Sequence, residues 1–95
     1  MNPVRDPNVM YYVYLLKSKT NGKFYTGSTD NLRKRLEKHN SGKSNWTRKS
    51  IPWILIYYEA CLYKDNARSR ELYLKSCTGK RYLKNRLRRF LSLTG

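Results

Sequence analysis

The sequence predicts a small α+β domain in which a three-stranded sheet is flanked by helices, in the order ββαβαα. Three features predict this class: two apolar stretches of strand-like composition, an Asn-Gly pair typical of a hairpin turn, and leucines at helical spacing near the end of the chain. A chain of 95 residues has room for one small core. We therefore expect a single domain over residues 10–92, preceded by a flexible arm over residues 1–9.

The three strands are predicted from local composition. Residues 11–16 are apolar on both alternating faces, which is typical of a central strand covered on both sides. Residues 21–22 are Asn-Gly, and they favour a turn that connects this strand to a second one over residues 23–27. Residues 52–59 are rich in β-branched and aromatic side chains and predict the third strand.

Three helices complete the predicted order. The first is predicted over residues 31–40, after residues 28–30, which offer capping side chains. The second is predicted over residues 65–76, and Thr78 and Gly79 are expected to separate it from the third. The apolar face of the third helix is formed by side chains at i, i+4, i+7 and i+8, namely Leu83, Leu87, Phe90 and Leu91.

Two residues of the first helix stand on its apolar stripe although they are polar. Arg35 and His39 share this stripe with Leu32 and Leu36. A guanidinium is always charged, so Arg35 forms an internal pair, lines a concave site, or extends its stem along the edge of the stripe. A lone histidine is more often a structural residue than a catalytic one, so His39 alone is weak support for a site.

The second helix also carries a charged residue on its apolar face, in this case an acidic one. Glu71 is spaced with Ala67 and Leu74 and therefore points toward the sheet. If the domain binds a divalent metal, Glu71 is the best-placed ligand. A single carboxylate suits Mg²⁺ (or Mn²⁺), which takes its further ligands from water and substrate phosphate. The alternative is an internal ion pair between Glu71 and Arg35.

Tyrosine is the commonest aromatic residue, with nine of the thirteen aromatic side chains. If the hairpin loop has an even number of residues, Tyr14 and Tyr25 lie on the same face of the sheet. A tyrosine becomes a useful base when neighbouring cations or a metal lower its pKa, which is ordinarily near 10. The alternative is that both rings only pack.

The charge balance indicates the kind of partner. The chain has 21 Lys plus Arg against 6 Asp plus Glu, a net charge of +15. Nucleic acid is the commonest partner of such a domain, and an anionic membrane surface is the alternative. The basic residues expected to contact nucleic acid lie in the loop after the first helix and on the third helix: Lys43, Arg48, Lys49, Arg81, Lys84, Arg88 and Arg89.

No apolar run approaches the roughly 18 residues of a membrane span, and the first residues lack the apolar core of a signal peptide. We therefore expect a cytoplasmic protein with no membrane association.

The residues above match a known spacing. Tyr-Val-Tyr at residues 12–14 is followed eleven positions on by Tyr-Thr-Gly at residues 25–27, then by residues 31–36 with His39, and later by Arg-Glu at residues 70–71. This pattern resembles the GIY-YIG nuclease family, most closely its small single-domain branch. Tyr12 stands where the first tripeptide has glycine, Thr26 where the second has isoleucine, and Ser28 where some members have lysine.

The resemblance implies a three-stranded antiparallel sheet flanked by helices, with a hydrolytic site on one sheet face. It implies that Tyr14 is the first functional tyrosine and that Tyr25 is the second and the general base. It also implies that Arg35 binds phosphate, that His39 assists and that Glu71 is the metal ligand. The side chains singled out by their placement are the ones to which the resemblance gives roles.

The leading hypothesis is a divalent-metal-dependent endonuclease that hydrolyses phosphodiester bonds in DNA, in repair or recombination, and does not act on a small-molecule substrate. A protein partner for targeting is compatible with the short chain. The alternative is a non-catalytic nucleic-acid binding module with the same fold, which uses its cations for phosphates and its aromatic rings for stacking.

Overall fold

The computed structural model describes residues 9–94, so residues 1–8, which form most of the expected N-terminal arm, lie outside the described residues. Within this range the predicted order ββαβαα is confirmed, except that the last helix is interrupted at Leu87 and continues as a short further segment. The elements are β1 (Tyr11–Ser18), β2 (Phe24–Thr29), α1 (Leu32–Asn40), a 3₁₀ turn (Arg48–Ser50), β3 (Trp53–Cys61), α2 (Lys64–Lys75), α3 (Cys77–Arg86) and α4 (Arg88–Thr94).

The sheet is antiparallel, with strand order β2-β1-β3, so β1 is the central strand as its composition predicts. The hairpin closes where the Ser18 amide donates to the Lys23 carbonyl at 2.8 Å, and Gly22 adopts a φ of 73° in the four-residue loop between them. In this register Tyr14 is opposite Gly27 and Leu16 is opposite Tyr25. Because side chains alternate along a strand, the prediction that Tyr14 and Tyr25 share a face is confirmed.

The two faces of the sheet carry separate parts of the core. On the face that packs against α1, here called the α1 face, the buried residues are Tyr14, Leu16 and Trp53. On the opposite face, here called the α2 face, Val13 and Leu15 pack with residues of α2 and α3, namely Ala67, Leu74 and Leu83. The central strand is therefore covered on both sides, and β2 is left as an edge strand.

The N terminus of α1 differs in detail from the prediction. The capping residue is Asn31, whose Oδ1 accepts from the Lys34 amide at 3.1 Å, instead of one of residues 28–30. Thr29 lies two residues earlier, and its Oγ1 accepts from the Asn31 amide at 3.1 Å. The polar residues before the helix therefore form a connected turn that orients α1 across the sheet.

The predicted break at Thr78 and Gly79 is wrong. The two helices meet at Ser76, whose Oγ accepts from the Gly79 amide at 3.1 Å and caps α3. Gly79 is buried inside the first turn of α3, where a Cβ would overlap the Tyr73 carbonyl oxygen and lie 2.5 Å from Leu74 Cα. Glycine at this position permits close helix contact and does not end a helix.

No helix among residues 9–94 is long and apolar enough to cross a bilayer.

Candidate active site

Three aromatic side chains form a compact group on the α1 face. The ring centroids of Tyr14 and Tyr25 are 6.3 Å apart, and those of Tyr25 and His39 are 4.8 Å apart. The hydroxyl of Tyr14 lies 3.1 Å from His39 Nε2, and both residues are buried. The strand register and the last turn of α1 therefore bring together two tyrosines and the single histidine of the chain.

Gly27 makes room for the ring of Tyr14. A Cβ at Gly27 would lie 2.5 Å from the Tyr14 hydroxyl oxygen and 2.7 Å from its Cζ, both far below van der Waals contact. The Tyr14 ring therefore crosses the backbone of β2 at Gly27, and its hydroxyl is carried to the edge strand.

His39 is held from its other side by Thr47, a residue that the sequence did not single out. His39 Nδ1 lies 2.9 Å from Thr47 Oγ1, and Thr47 is fully buried at 0% exposure. The Trp53 indole donates to the Thr47 carbonyl at 2.9 Å and fixes this part of the loop. Burial lowers the pKa of His39, and the positive charges of Arg35 and Lys38 lower it further. His39 is therefore neutral near pH 7, with one ring nitrogen donating and the other accepting.

We expect this histidine to make the stability of the domain depend on pH in mild acid. Its pKa is lowered by folding, so between about pH 7 and pH 5 the unfolded chain binds the proton more readily than the folded one. The free energy of unfolding should therefore be fully present above about pH 6.5 and should decrease below it. Urea unfolding at a series of pH values measures this.

His39→Gln is the matched variant for that series, because it removes the only imidazole and keeps a polar side chain. Its unfolding free energy should change much less between about pH 7 and pH 5. The lowered carboxyl pKa values of Glu59 and Glu71 act only at more acidic pH. An equal decrease in wild type and variant over this range would contradict the assignment.

Tyr14 stays protonated. Its burial raises the pKa of the hydroxyl, the negative charges of Tyr25 and Glu71 raise it further, and the positive charge of Arg35 opposes them. Tyr14 is therefore a neutral phenol near pH 7, and it is unsuited to act as a base.

Glu71 has two partners. Its Oε1 accepts from Ser28 Oγ at 2.6 Å, and its Oε2 lies 2.7 Å from Lys75 Nζ. Burial raises the pKa of Glu71, but the hydrogen bonds from Lys75 and Ser28 and the charges of Lys75 and Arg68 outweigh this effect and lower it. The carboxylate is therefore ionised. Among the described residues its ion pair is with Lys75, so the alternative of a Glu71–Arg35 pair is wrong.

The expected site on one sheet face needs correction. Ser28 is opposite Val13, and its side chain therefore belongs to the α2 face, where Glu71 reaches it from α2. Tyr14 and Tyr25 belong to the α1 face. The two tyrosines therefore contact β2 from the α1 face, and Glu71 contacts it from the α2 face. Ser28, which stands where some family members have lysine, hydrogen-bonds the carboxylate.

A cleft of about 430 Å³ opens at the end of β2, between α1 and α2. Arg35 lines it from α1, and Lys64 and Arg68 line it from α2. The sequence pattern gave no reason to select Lys64 or Arg68, because both lie on exposed positions of a basic chain. Two carboxylates, Asp30 and Asp65, line the cleft as well, so its lining has three cations and two anions. The excess of positive charge suits a phosphate group.

Three carboxylates lie at or beside this cleft. Asp30 and Asp65 line it at exposed positions, and Glu71 accepts a hydrogen bond from the lining residue Ser28. Among residues 9–94 no three His, Cys, Asp or Glu side chains are grouped closely enough to hold an ion. Glu71 remains as an ionised carboxylate with a side chain that is 13% exposed, and each of its oxygens keeps acceptor capacity beyond its present partner. Such a site fits an ion that keeps most of its waters and takes further ligands from substrate phosphate, as Mg²⁺ does.

The seven basic residues expected to contact nucleic acid are all exposed, but the structure divides them into two groups. Lys43, Arg48 and Lys49 lie on the loop whose Thr47 touches His39. The other four lie on α3 and α4, on the side of the sheet where Leu83 packs: Arg81, Lys84, Arg88 and Arg89. Only the loop group is brought next to the aromatic group.

The antiparallel sheet and the paired tyrosines are those expected of a GIY-YIG catalytic domain, and this domain matches residues 10–91 of the chain. The chain belongs to the GIY-YIG family, a family of nucleases that generally use divalent metal ions.

The chain is also similar to several UPF0213 proteins. The chain is 46% identical over 70 residues to a UPF0213 protein of Clostridium perfringens, covering 73% of this chain and 74% of the relative. It is 37% identical over 75 residues to a UPF0213 protein of Staphylococcus haemolyticus, covering 78% of this chain and 90% of the relative. A UPF0213 protein of Bacillus halodurans with a solution NMR structure is 35% identical to this chain. The match covers 90% of this chain and 86% of that protein, with a TM-score of 0.48.

Proposed function

We propose that this protein is an endonuclease that hydrolyses phosphodiester bonds in DNA with the help of Mg²⁺ (or Mn²⁺), in DNA repair or recombination. The observation that carries the proposal is the convergence of five side chains at β2. Tyr14, Tyr25 and His39 are in contact. Arg35 and Ser28 line one cleft at the end of β2, and Glu71 accepts a hydrogen bond from Ser28.

Tyr25 is the general base in this proposal. It accepts the proton of the attacking water, and its ring lies beside His39 and the ring of Tyr14. Tyr14 is unsuited to this role because its raised pKa keeps it protonated.

Tyr14 instead donates a hydrogen bond to the water or to the phosphate. In the tautomer that carries the ring proton on Nε2, Thr47 donates to His39 Nδ1 and His39 Nε2 donates to the Tyr14 oxygen. We propose this tautomer, because it leaves the phenolic proton of Tyr14 free for the substrate. His39 is in this way a positioning residue, and its neutral state is what the arrangement requires.

Arg35 and Glu71 complete the site. Arg35 lines the cleft at the end of β2 and stabilises the charge that develops on the phosphate oxygens. Glu71 is the residue that would hold the ion. When bound there, Mg²⁺ supplies positive charge that further neutralises the scissile phosphate. Lys64 and Arg68, which line the same cleft, are further candidates for phosphate contacts.

A non-catalytic nucleic-acid binding module is the second candidate, and one observation favours it. Both oxygens of Glu71 already have partners, Ser28 and Lys75, which is what a purely structural carboxylate would show. The two functions differ in a simple assay. The purified chain is incubated with end-labelled duplex, single-stranded and branched DNA, with Mg²⁺ or with EDTA. An endonuclease cuts at least one of them only with Mg²⁺, and a binding module retains them all uncut.

A further inference from the structure

Trp46 is the most exposed large apolar side chain among the described residues, at 91% exposure. The other tryptophan, Trp53, is buried on the α1 face. A tryptophan side chain can bury about 150–250 Å² of surface, so an indole left in water forgoes a large stabilisation. The exposure of Trp46 therefore needs an explanation other than folding.

The backbone that carries this indole is ordered. The next residue, Thr47, is fully buried, touches His39 and accepts a hydrogen bond from Trp53. The amides of Thr47 and Arg48 both donate to the Ser44 carbonyl, at 3.2 Å and 3.0 Å. Trp46 therefore projects from a fixed turn, and its position is set before any ligand arrives. The same turn connects it, through a single residue, to the aromatic group of the candidate active site.

The surroundings of Trp46 are uniformly basic. Residues 38–58 contain four Lys and Arg residues and no Asp or Glu. Lys43, Arg48 and Lys49 are exposed on the same loop. These charges favour a polyanion over a second copy of a chain whose own net charge is +15. An aromatic face among cations is the arrangement with which proteins hold single-stranded nucleic acid, where rings stack on bases and cations contact phosphates.

We propose that Trp46 stacks on an unpaired base of the DNA, close to the phosphodiester that is cleaved. The substrate class is then DNA with a single-stranded segment, such as a flap or a branch, because the base faces of a continuous duplex are covered by their neighbours. This inference rests on the proposed function for the position of cleavage, but the binding that it describes does not require catalysis.

Binding in EDTA tests the inference without cleavage. The probes are a fluorescently labelled oligothymidylate of about ten nucleotides and a labelled duplex of similar length. Trp46→Ala should weaken binding of the single strand about 5- to 150-fold and binding of the duplex by no more than about twofold. Trp46→Phe should retain most of the single-strand affinity, since phenylalanine also stacks. Lys49→Ala, the matched control, should weaken both probes to a similar extent.

Tryptophan fluorescence adds a second readout. Unlabelled oligothymidylate should quench the emission of wild type, and this quenching should be absent from Trp46→Phe, which retains only the buried Trp53. The inference is overturned if Trp46→Ala binds the single strand as wild type does, or loses affinity for both probes equally. Either result leaves the proposed nuclease activity unaffected. Conversely, if single-strand binding depends on Trp46 but no DNA is cleaved, the nuclease activity is refuted and the stacking role of Trp46 is retained.

Discussion

Replacing Glu71 by glutamine is expected to abolish Mg²⁺-dependent cleavage of DNA, a loss of at least about 10³-fold, while the chain still folds and binds DNA. Glutamine has nearly the same volume, but its neutral amide is a poor ligand for Mg²⁺ compared with a carboxylate. Its oxygen can still accept from Ser28, the partner of Oε1 in the wild type. Lys75, the other partner, is 48% exposed and is readily solvated when its ion pair is lost.

A thermal melt and a cleavage assay on the same preparation of Glu71→Gln distinguish a metal ligand from a structural carboxylate. A half-exposed pair such as Glu71–Lys75 contributes less than about 1 kcal/mol, so the melting temperature should change little. Glu37→Gln is the matched control, because it removes the same charge from an exposed position of α1. Cleavage that survives in Glu71→Gln would contradict the role, and so would a loss of cleavage that merely follows a loss of folded protein.

Tyr25→Phe is expected to lower the cleavage rate by about 10² to 10⁴-fold, the usual contribution of a general base. The substitution removes one oxygen and keeps the ring, which packs beside His39 and Trp53. The single-turnover rate at saturating protein isolates the chemical step from DNA binding. The affinity for DNA, measured in EDTA, should stay within about twofold of wild type.

Two further tyrosine variants serve as comparisons for Tyr25→Phe. Tyr14→Phe should lose less activity than Tyr25→Phe, because a protonated Tyr14 contributes a hydrogen bond and not a base. Tyr73→Phe should cleave at the wild-type rate, since Tyr73 lies on α2, outside the aromatic group of the α1 face, with its ring against the Arg70 guanidinium. Equal rates for Tyr25→Phe and wild type would rule out the general base and leave Tyr25 as a packing residue.

The fold and the tyrosine pair could be predicted because both depend on local rules. The Asn21-Gly22 turn fixes the loop length, and the loop length fixes the register that places Tyr14 and Tyr25 on one face. The helical stripe likewise brings His39 into the core, as the spacing indicates. Each of these inferences uses residues within one element or one hairpin.

The rest depends on how separate elements pack, which periodicity does not encode. Ser28 and Glu71 are 43 positions apart, and their hydrogen bond exists only because α2 crosses the edge strand on the face opposite the tyrosines. Thr47 lies in a polar loop without periodicity, so nothing in the sequence indicates that it is the partner of His39. Gly79 was interpreted as a helix end for a similar reason, because its close contact with α2 is a tertiary feature.

In the proposed mechanism the Tyr14 hydroxyl, carried across Gly27 to the edge strand, lies with Tyr25 at the reacting phosphate. Gly27→Ala tests this placement without removing any functional group, because the added Cβ would displace the Tyr14 ring. Gly22→Ala is the matched control. It strains a turn with a φ of 73°, where a Cβ would meet no atom within 4 Å.

The measurement is the single-turnover rate of cleavage of one labelled DNA with Mg²⁺, for wild type and both glycine variants, each shown to be folded by circular dichroism. We expect wild type and Gly22→Ala to cleave at similar rates, and Gly27→Ala to be slower by at least about 10²-fold. Cleavage by Gly27→Ala at the wild-type rate, or no Mg²⁺-dependent cleavage by wild type, would contradict the account.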